Sequence, residues 1–207
     1  MKARPDVIAL DIETTSLHAD TGHLVCAVVG DFWTMKLRSY VVKKPEQERD
    51  ALEQLLKRIG RSHVLLTWRG SSFDVPWIVT RCLKLSVDPS PAYAPRHIDL
   101  ATVVERELRL SNTSLWNVVR FLGLERVEES IGADVPMLYE EALLGRKGGF
   151  SKILRHCRED VQLTIAVARA LRPVLAQVFR DLPEVELSRR LFDLRYGVSQ
   201  RYRKRRT

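Results

Sequence analysis

VIALDIETTSL, residues 7–17, is the stretch whose reading decides the fold. Val7, Ile8, Ala9, Leu10 and Ile12 make a short apolar run rich in strand-forming residues, the pattern of a strand buried within a sheet. The run ends by setting Asp11 and Glu13 two residues apart. Side chains alternate along a strand that rises about 3.3 Å per residue, so both carboxylates share one face, about 6.6 Å apart. Two like charges repel by roughly 4 kcal/mol at 4 Å and an effective dielectric near 20. A positive partner is required.

Outward from this strand, HLVCAVVGDFWTMKLRSYVV (23–42) reads as two strands joined in a hairpin at Gly30 and Asp31. Pro45 and Glu46 open a helix in which Leu52, Leu55, Leu56 and Ile59 recur at helical spacing, and Gly60 closes it. HVLLTW (63–68) is a fourth strand, followed by a turn and a helix over 75–85. RHIDL (96–100) is a short fifth strand. Helices follow over 101–110, 114–123 and 136–144, then a long one over 151–180 with a kink at Pro173. Three strands, a helix and then strand–helix units predict a mixed α/β sheet.

The 207 residues suffice for one domain with a substantial core, and 45% hydrophobic with 29% charged residues is a globular composition. No apolar run approaches the roughly 20 residues of a membrane span. The start, MKARPDVIAL, lacks a signal-peptide profile. Cys26, Cys82 and Cys157 are widely spaced and form no CxxC, which argues against a disulfide framework or zinc site and predicts a cytoplasmic location. Arg (25) outnumbers Lys (9), and Asn112 and Asn117 are the two asparagines. Few thermolabile amides fit a thermophile, although GC-rich coding also raises Arg.

The net charge of +8 is concentrated at one end. From Leu187 onward Arg189, Arg190, Arg195, Arg201, Arg203, Lys204, Arg205 and Arg206 face one acid, Asp193. Residues 187–207 carry +7 and leave the first 186 at about +1. Such a body (1–183) with a basic extension (184–207), helical or flexible, predicts a polyanionic partner. A tail that merely aids solubility is the alternative.

Two more carboxylates stand out. In LLTWRGSSFDVPWI, Asp74 sits beside a helix start marked by Pro76, where capping is the ordinary role of an Asp. In FSKILRHCREDVQLTIAVARAL the apolar stripe runs through Ile153, His156, Cys157, Asp160, Val161, Thr164, Val167, Ala168 and Leu171, with Arg155, Arg158, Glu159 and Gln162 mostly off it. An ionised Asp on a core-facing stripe is costly unless paired or coordinated. A buried His156–Asp160 pair or a metal site would satisfy it.

DIET on the first strand, GSSFD after the fourth and HCRED on the late helix resemble the three motifs of the DEDD (DnaQ-like) 3′→5′ exonucleases. HIDL, VPMLYEEALLG and HCREDVQLTIAVARAL look most like the YprB-type branch. The resemblance implies an RNase H-like five-stranded sheet of order 3-2-1-4-5. It makes Asp11, Glu13, Asp74 and Asp160 the ligands of two divalent cations, Mg²⁺ or Mn²⁺, with His156 orienting or deprotonating the attacking water. Thr14, Thr15, Leu17 and Ser72 would contact nucleic acid, as would Arg201, Arg203, Lys204, Arg205 and Arg206 of the tail. The implied partner is a single-stranded 3′ end, DNA favoured over RNA, in DNA repair or nucleic-acid processing. A protein partner or homo-oligomer is compatible with it, and no membrane is involved. The other readings are an inactive nucleic-acid-binding scaffold and an endonuclease on the same fold.

The chain departs from the family at two places. The third motif carries Tyr four residues before its last Asp, or His five before it, whereas this chain has His156 at the four-residue spacing and Arg155 at the five. An Asn common in the second motif is replaced by Arg69, whose fork suits a phosphate.

Overall fold

Strands β1 (Val7–Thr14), β2 (Leu24–Asp31), β3 (Leu37–Val41), β4 (Val64–Thr67) and β5 (Arg96–Asp99) form one sheet in the order β3-β2-β1-β4-β5. The structure, a computed structural model, describes residues 4–127 and 131–178. β1 and β2, and β2 and β3, pair antiparallel, while β1 and β4, and β4 and β5, pair parallel. The expected mixed sheet and its strand order are both present.

β1 is central because it is apolar on both faces. Ile8, Leu10 and Ile12 join the core that helices α1 (Glu48–Ile59) and α2 (Asp74–Lys84) cover. Val7 and Ala9 face the opposite core. There they meet α3 (Leu100–Glu107), α4 (Leu115–Phe121), α5 (Val135–Leu143), α6 (Gly149–Ala170) and α7 (Arg172–Val178). By alternation Asp11 and Glu13 lie on this second face, the face of α6.

α6 crosses β1 and β2 with Ile153, Cys157, Val161 and Ile165 fully buried. Its close approach depends on Gly30. A Cβ there would stand 2.6 Å from Val161 Cγ1 and 2.8 Å from Ile165 Cδ1. Gly30 is thus a packing glycine inside β2, and the hairpin turn lies later than expected. Asp31 Oδ1 accepts from the backbone N–H of Trp33 (3.1 Å) and Thr34 (2.6 Å), building the turn from its own side chain. Met35 takes a left-handed φ of 61°, and Phe32 is fully buried.

The helix boundaries match expectation to within a few residues. The expected kink is a 69° bend between α6 and α7. Pro173 stands in the first turn of α7, where a missing N–H costs little. Glu159, expected off the apolar stripe, is 9% exposed. Among the described residues no single helix is long and apolar enough to cross a membrane. The basic extension over 184–207, with Arg201, Arg203, Lys204, Arg205 and Arg206, lies outside the described residues, as does the expected helix end at Arg180.

Candidate active site

The sheet opens where the two acids stand. β1 pairs with β4 only through Ala9 opposite Leu66, yet continues along β2 as far as Thr14. The register with β2 slips between Glu13 and Thr14, a bulge-like irregularity that bends the strand end. A crevice beyond the carboxyl ends of parallel strands is the usual ligand site of an open α/β sheet.

Asp74 enters this crevice from the first turn of α2 and is 4% exposed. Phe73, not Asp74, is the cap residue. The Asp74 side chain reaches across to β1, where Oδ1 accepts the Ile12 N–H at 3.2 Å. Past the end of β4 that N–H has no strand partner on this side, so the carboxylate takes the place of a ladder acceptor.

α6 supplies the other wall. His156 Nε2 lies 3.6 Å from Glu13 Oε1 and 3.7 Å from Asp160 Oδ2, which brings the third motif onto the first. Cys157 donates its thiol to the Asp11 carbonyl oxygen at 3.4 Å. The candidate ligand atoms of Asp11, Glu13 and Cys157 lie within 4.8 Å of one another. Asp11 Oδ2 is buried without a hydrogen-bond partner.

The electrostatics follow from crowding acids in a dry crevice. Burial, then repulsion from Asp160 and Asp74, pushes Glu13 up to about 8, although Arg126 opposes the rise. Asp74 is pushed up to about 7 by burial, with the N–H groups of Asp74 and Ile12 pulling the other way. Burial raises Asp160 to about 6, against the pull of Arg126. Asp11 is raised well above the usual carboxylate range by burial and then by Glu13, Asp160 and Asp74. All four carboxyls hold protons more tightly than free acids do, the behaviour of a site that lacks positive charge. Burial likewise raises the Cys157 thiol, which keeps it a neutral S–H donor and leaves carboxylate oxygens as the ligand set.

Arg126, which the sequence did not single out, reaches into this wall from the segment between α4 and α5. Its Nη2 lies 2.8 Å from Asp160 Oδ1 and 2.8 Å from His156 Nδ1, and its Nε is 3.6 Å from Glu159 Oε2. A guanidinium only donates, so His156 Nδ1 accepts and the ring proton sits on Nε2, facing Glu13 and Asp160. In this arrangement the ring's lone pair is turned to Arg126, and the nitrogen facing the crevice is a donor, which suits orienting a water.

The remaining expected residues separate. Thr14 is buried, and its hydroxyl donates to the Ser16 carbonyl at 2.9 Å. Thr15 Oγ1 accepts the His23 N–H at 2.8 Å. Leu17 is 79% exposed on the loop that follows the acids. That loop is held from α2: Trp77 Nε1 donates to the Ser16 carbonyl (3.1 Å), and Arg81 Nη1 donates to that of Ala19 (3.1 Å). Arg81 in turn is paired with buried Glu48, which also accepts the Leu24 N–H at 2.8 Å. Ser72 spends its hydroxyl on the Arg69 carbonyl at 2.9 Å. Arg69 has a φ of 61°, and its Nη2 donates to Glu105 Oε1 and Thr113 Oγ1, both at 2.9 Å. Arg69 Nη2 is therefore engaged on the α3 side of the crevice.

Comparison with known proteins agrees with this architecture. A family model described as the RNase_H superfamily matches residues 8–172. This chain belongs to the RNase H superfamily. A DNA polymerase of Pyrococcus glycovorans is 24% identical over 160 residues, covering 67% of this chain and 20% of the polymerase. The solved family B DNA polymerase of the hyperthermophilic archaeon Pyrobaculum calidifontis superposes with a TM-score of 0.73 and 15% identity, over 91% of this chain and 27% of that one. The chain thus spans about a fifth to a quarter of the length of these relatives, and the structural likeness is one of fold.

Proposed function

We propose that this RNase H superfamily chain is a DEDD-type nuclease that removes nucleotides from the 3′ end of single-stranded nucleic acid, with Mg²⁺ or Mn²⁺ held by Asp11, Glu13, Asp74 and Asp160. The observation that carries the reading is the convergence of these four acids, from β1, α2 and α6, on one crevice where each is driven toward its protonated form. The unpartnered Asp11 Oδ2 and the all-oxygen donor set fit a hard divalent cation. Bound there, such cations neutralise the carboxylates and the charge that develops on phosphodiester cleavage.

The chain's own residues have separable tasks. Asp74 holds the end of β1 through Oδ1 and adds its charge to the cation-binding set. His156 donates its Nε2–H into the site, where an attacking water or a phosphate oxygen can accept it. Leu17, exposed beside the acids and braced by Trp77 and Arg81, is placed to meet the terminal base. The basic residues after Leu187 add attraction for the phosphate backbone. Similarity to a DNA polymerase favours DNA as the polymer.

A second reading, an inactive nucleic-acid-binding protein, is favoured by the Arg126–Asp160 ion pair, which occupies one of the four acids. A 5′-labelled single-stranded DNA or RNA incubated with Mg²⁺ or Mn²⁺ separates the two. A ladder shortening from the 3′ end, lost in Asp11→Ala and Asp160→Ala, is expected. Binding without cleavage would select the second reading, and cleavage of a circular strand would make the enzyme an endonuclease.

A further inference from the structure

Arg126 has a side chain only 7% exposed, and it stands among acids instead of solvent. Its contacts fall within about one turn of α6: Asp160 Oδ1 at 2.8 Å, His156 Nδ1 at 2.8 Å and Glu159 Oε2 at 3.6 Å. The Val127 N–H also donates to Glu159 Oε1, so the backbone beside Arg126 is tied to the same helix.

A buried guanidinium 2.8 Å from a carboxylate oxygen leaves no room for a divalent cation on that same oxygen, and two positive charges in a dry crevice repel strongly.

Resting on the cation-dependent reading above, we infer that Arg126 is the built-in counter-cation of Asp160, and that a divalent cation ligated by Asp160 must displace it. A cation that uses Asp160 therefore binds more weakly than it would without Arg126, and the Arg126 side chain changes place as the site fills.

The test is Mn²⁺ binding to the full chain, followed by the electron paramagnetic resonance of free Mn²⁺, for the native protein, Arg126→Gln and Arg126→Lys. Arg126→Gln should tighten Mn²⁺ binding about tenfold or more, the scale on which one nearby charge shifts an ionic equilibrium. Arg126→Lys, which keeps the charge, should stay close to native, and combining Arg126→Gln with Asp160→Asn should remove the gain. As a check that needs no variant, the Arg126 side-chain Nε–H resonance of the native chain should shift as Mg²⁺ saturates the site. Mn²⁺ binding that Arg126→Gln leaves unchanged or weakens would overturn the inference while sparing the nuclease reading, as would an Arg126 resonance that stays fixed while Mg²⁺ binds. No Mn²⁺ binding by any of these proteins would overturn both.

Discussion

Asp74 Oδ1 accepts the backbone N–H of Ile12 at 3.2 Å, so a carboxylate from α2 completes the hydrogen bonding of the strand that bears Asp11 and Glu13. The same side chain is a structural acceptor and a candidate cation ligand, and substitution can divide the two. Asp74→Asn keeps an oxygen for Ile12 and removes a charge that repels its neighbours. Without divalent cations this variant should melt at or above the native temperature, yet bind Mn²⁺ poorly. Asp74→Ala leaves the Ile12 N–H without its acceptor, which costs about 1–3 kcal/mol. Differential scanning calorimetry in chelator checks both, and an Asp74→Asn protein as unstable as Asp74→Ala would refute the division.

Stability should depend on pH in a direction opposite to that of most acidic groups. Carboxyls in an unfolded chain titrate near 4. In the folded chain Asp160 sits at about 6, Asp74 at about 7 and Glu13 at about 8, all raised chiefly by burial. Between these limits the folded state binds more protons than the unfolded one, so stability falls as pH rises. The cation-free protein should therefore melt at a higher temperature near pH 5 than near pH 8. Saturating Mg²⁺ should raise the melting temperature most at the alkaline end, because the cation replaces the protons. A melting temperature flat from pH 5 to 8 in chelator would contradict the crowded-acid description.

Gly30 sets how closely α6 lies on β2. In Gly30→Ala the new Cβ would meet Val161 Cγ1 at 2.6 Å and Ile165 Cδ1 at 2.8 Å, both branched side chains in a filled core. Overpacking of this kind costs about 1–3 kcal/mol. The shift should also carry His156 and Asp160 away from Glu13, since Asp160 adjoins Val161 and His156 lies five residues before it on the same helix. Urea denaturation should show a lower midpoint with an unchanged slope, together with weaker Mn²⁺ binding. A native midpoint would mean that α6 relaxes without strain.

Much of this was legible because strong local patterns and long-range packing agree. The apolar run of β1 fixed the alternation that puts Asp11 and Glu13 on one face, and the stripe of α6 put His156 and Asp160 toward them. The hairpin was misplaced because Gly30 looks like a turn residue when its Cβ-less backbone in fact admits α6, a contact with Val161 far along the chain. Helical phase puts Glu159 off the apolar stripe, and phase alone says nothing of the loop residues that cover it. Arg126 was invisible for the same reason. GLERVEES has no periodicity or motif, and the charge matters only because tertiary packing folds it over α6. The contacts of Arg69 Nη2 with Glu105 and Thr113 are likewise absent from any local pattern, because α3 and the residues after it are brought there by tertiary packing.

His156 offers the sharpest test of the site's chemistry. With Nδ1 accepting from Arg126 at 2.8 Å, the ring presents Nε2–H to Glu13 and Asp160, so its contribution is a donated hydrogen bond and not removal of a proton. A hydrogen bond to a charged group is worth about 1.5–3 kcal/mol, so His156→Ala should slow cleavage roughly ten- to hundredfold. That is below most of the 10²–10⁴-fold range of general base catalysis. His156→Gln keeps an acceptor for Arg126 and a donor for the crevice, and should recover part of the loss. His156→Tyr offers one hydroxyl, which cannot accept from Arg126 and reach the same crevice oxygens as the imidazole does, and should recover less. Single-turnover rates on a short 5′-labelled strand distinguish the cases. An amide cannot take a proton from water, so a Gln variant as slow as Ala, with both slowed beyond a thousandfold, would restore His156 to the role of base.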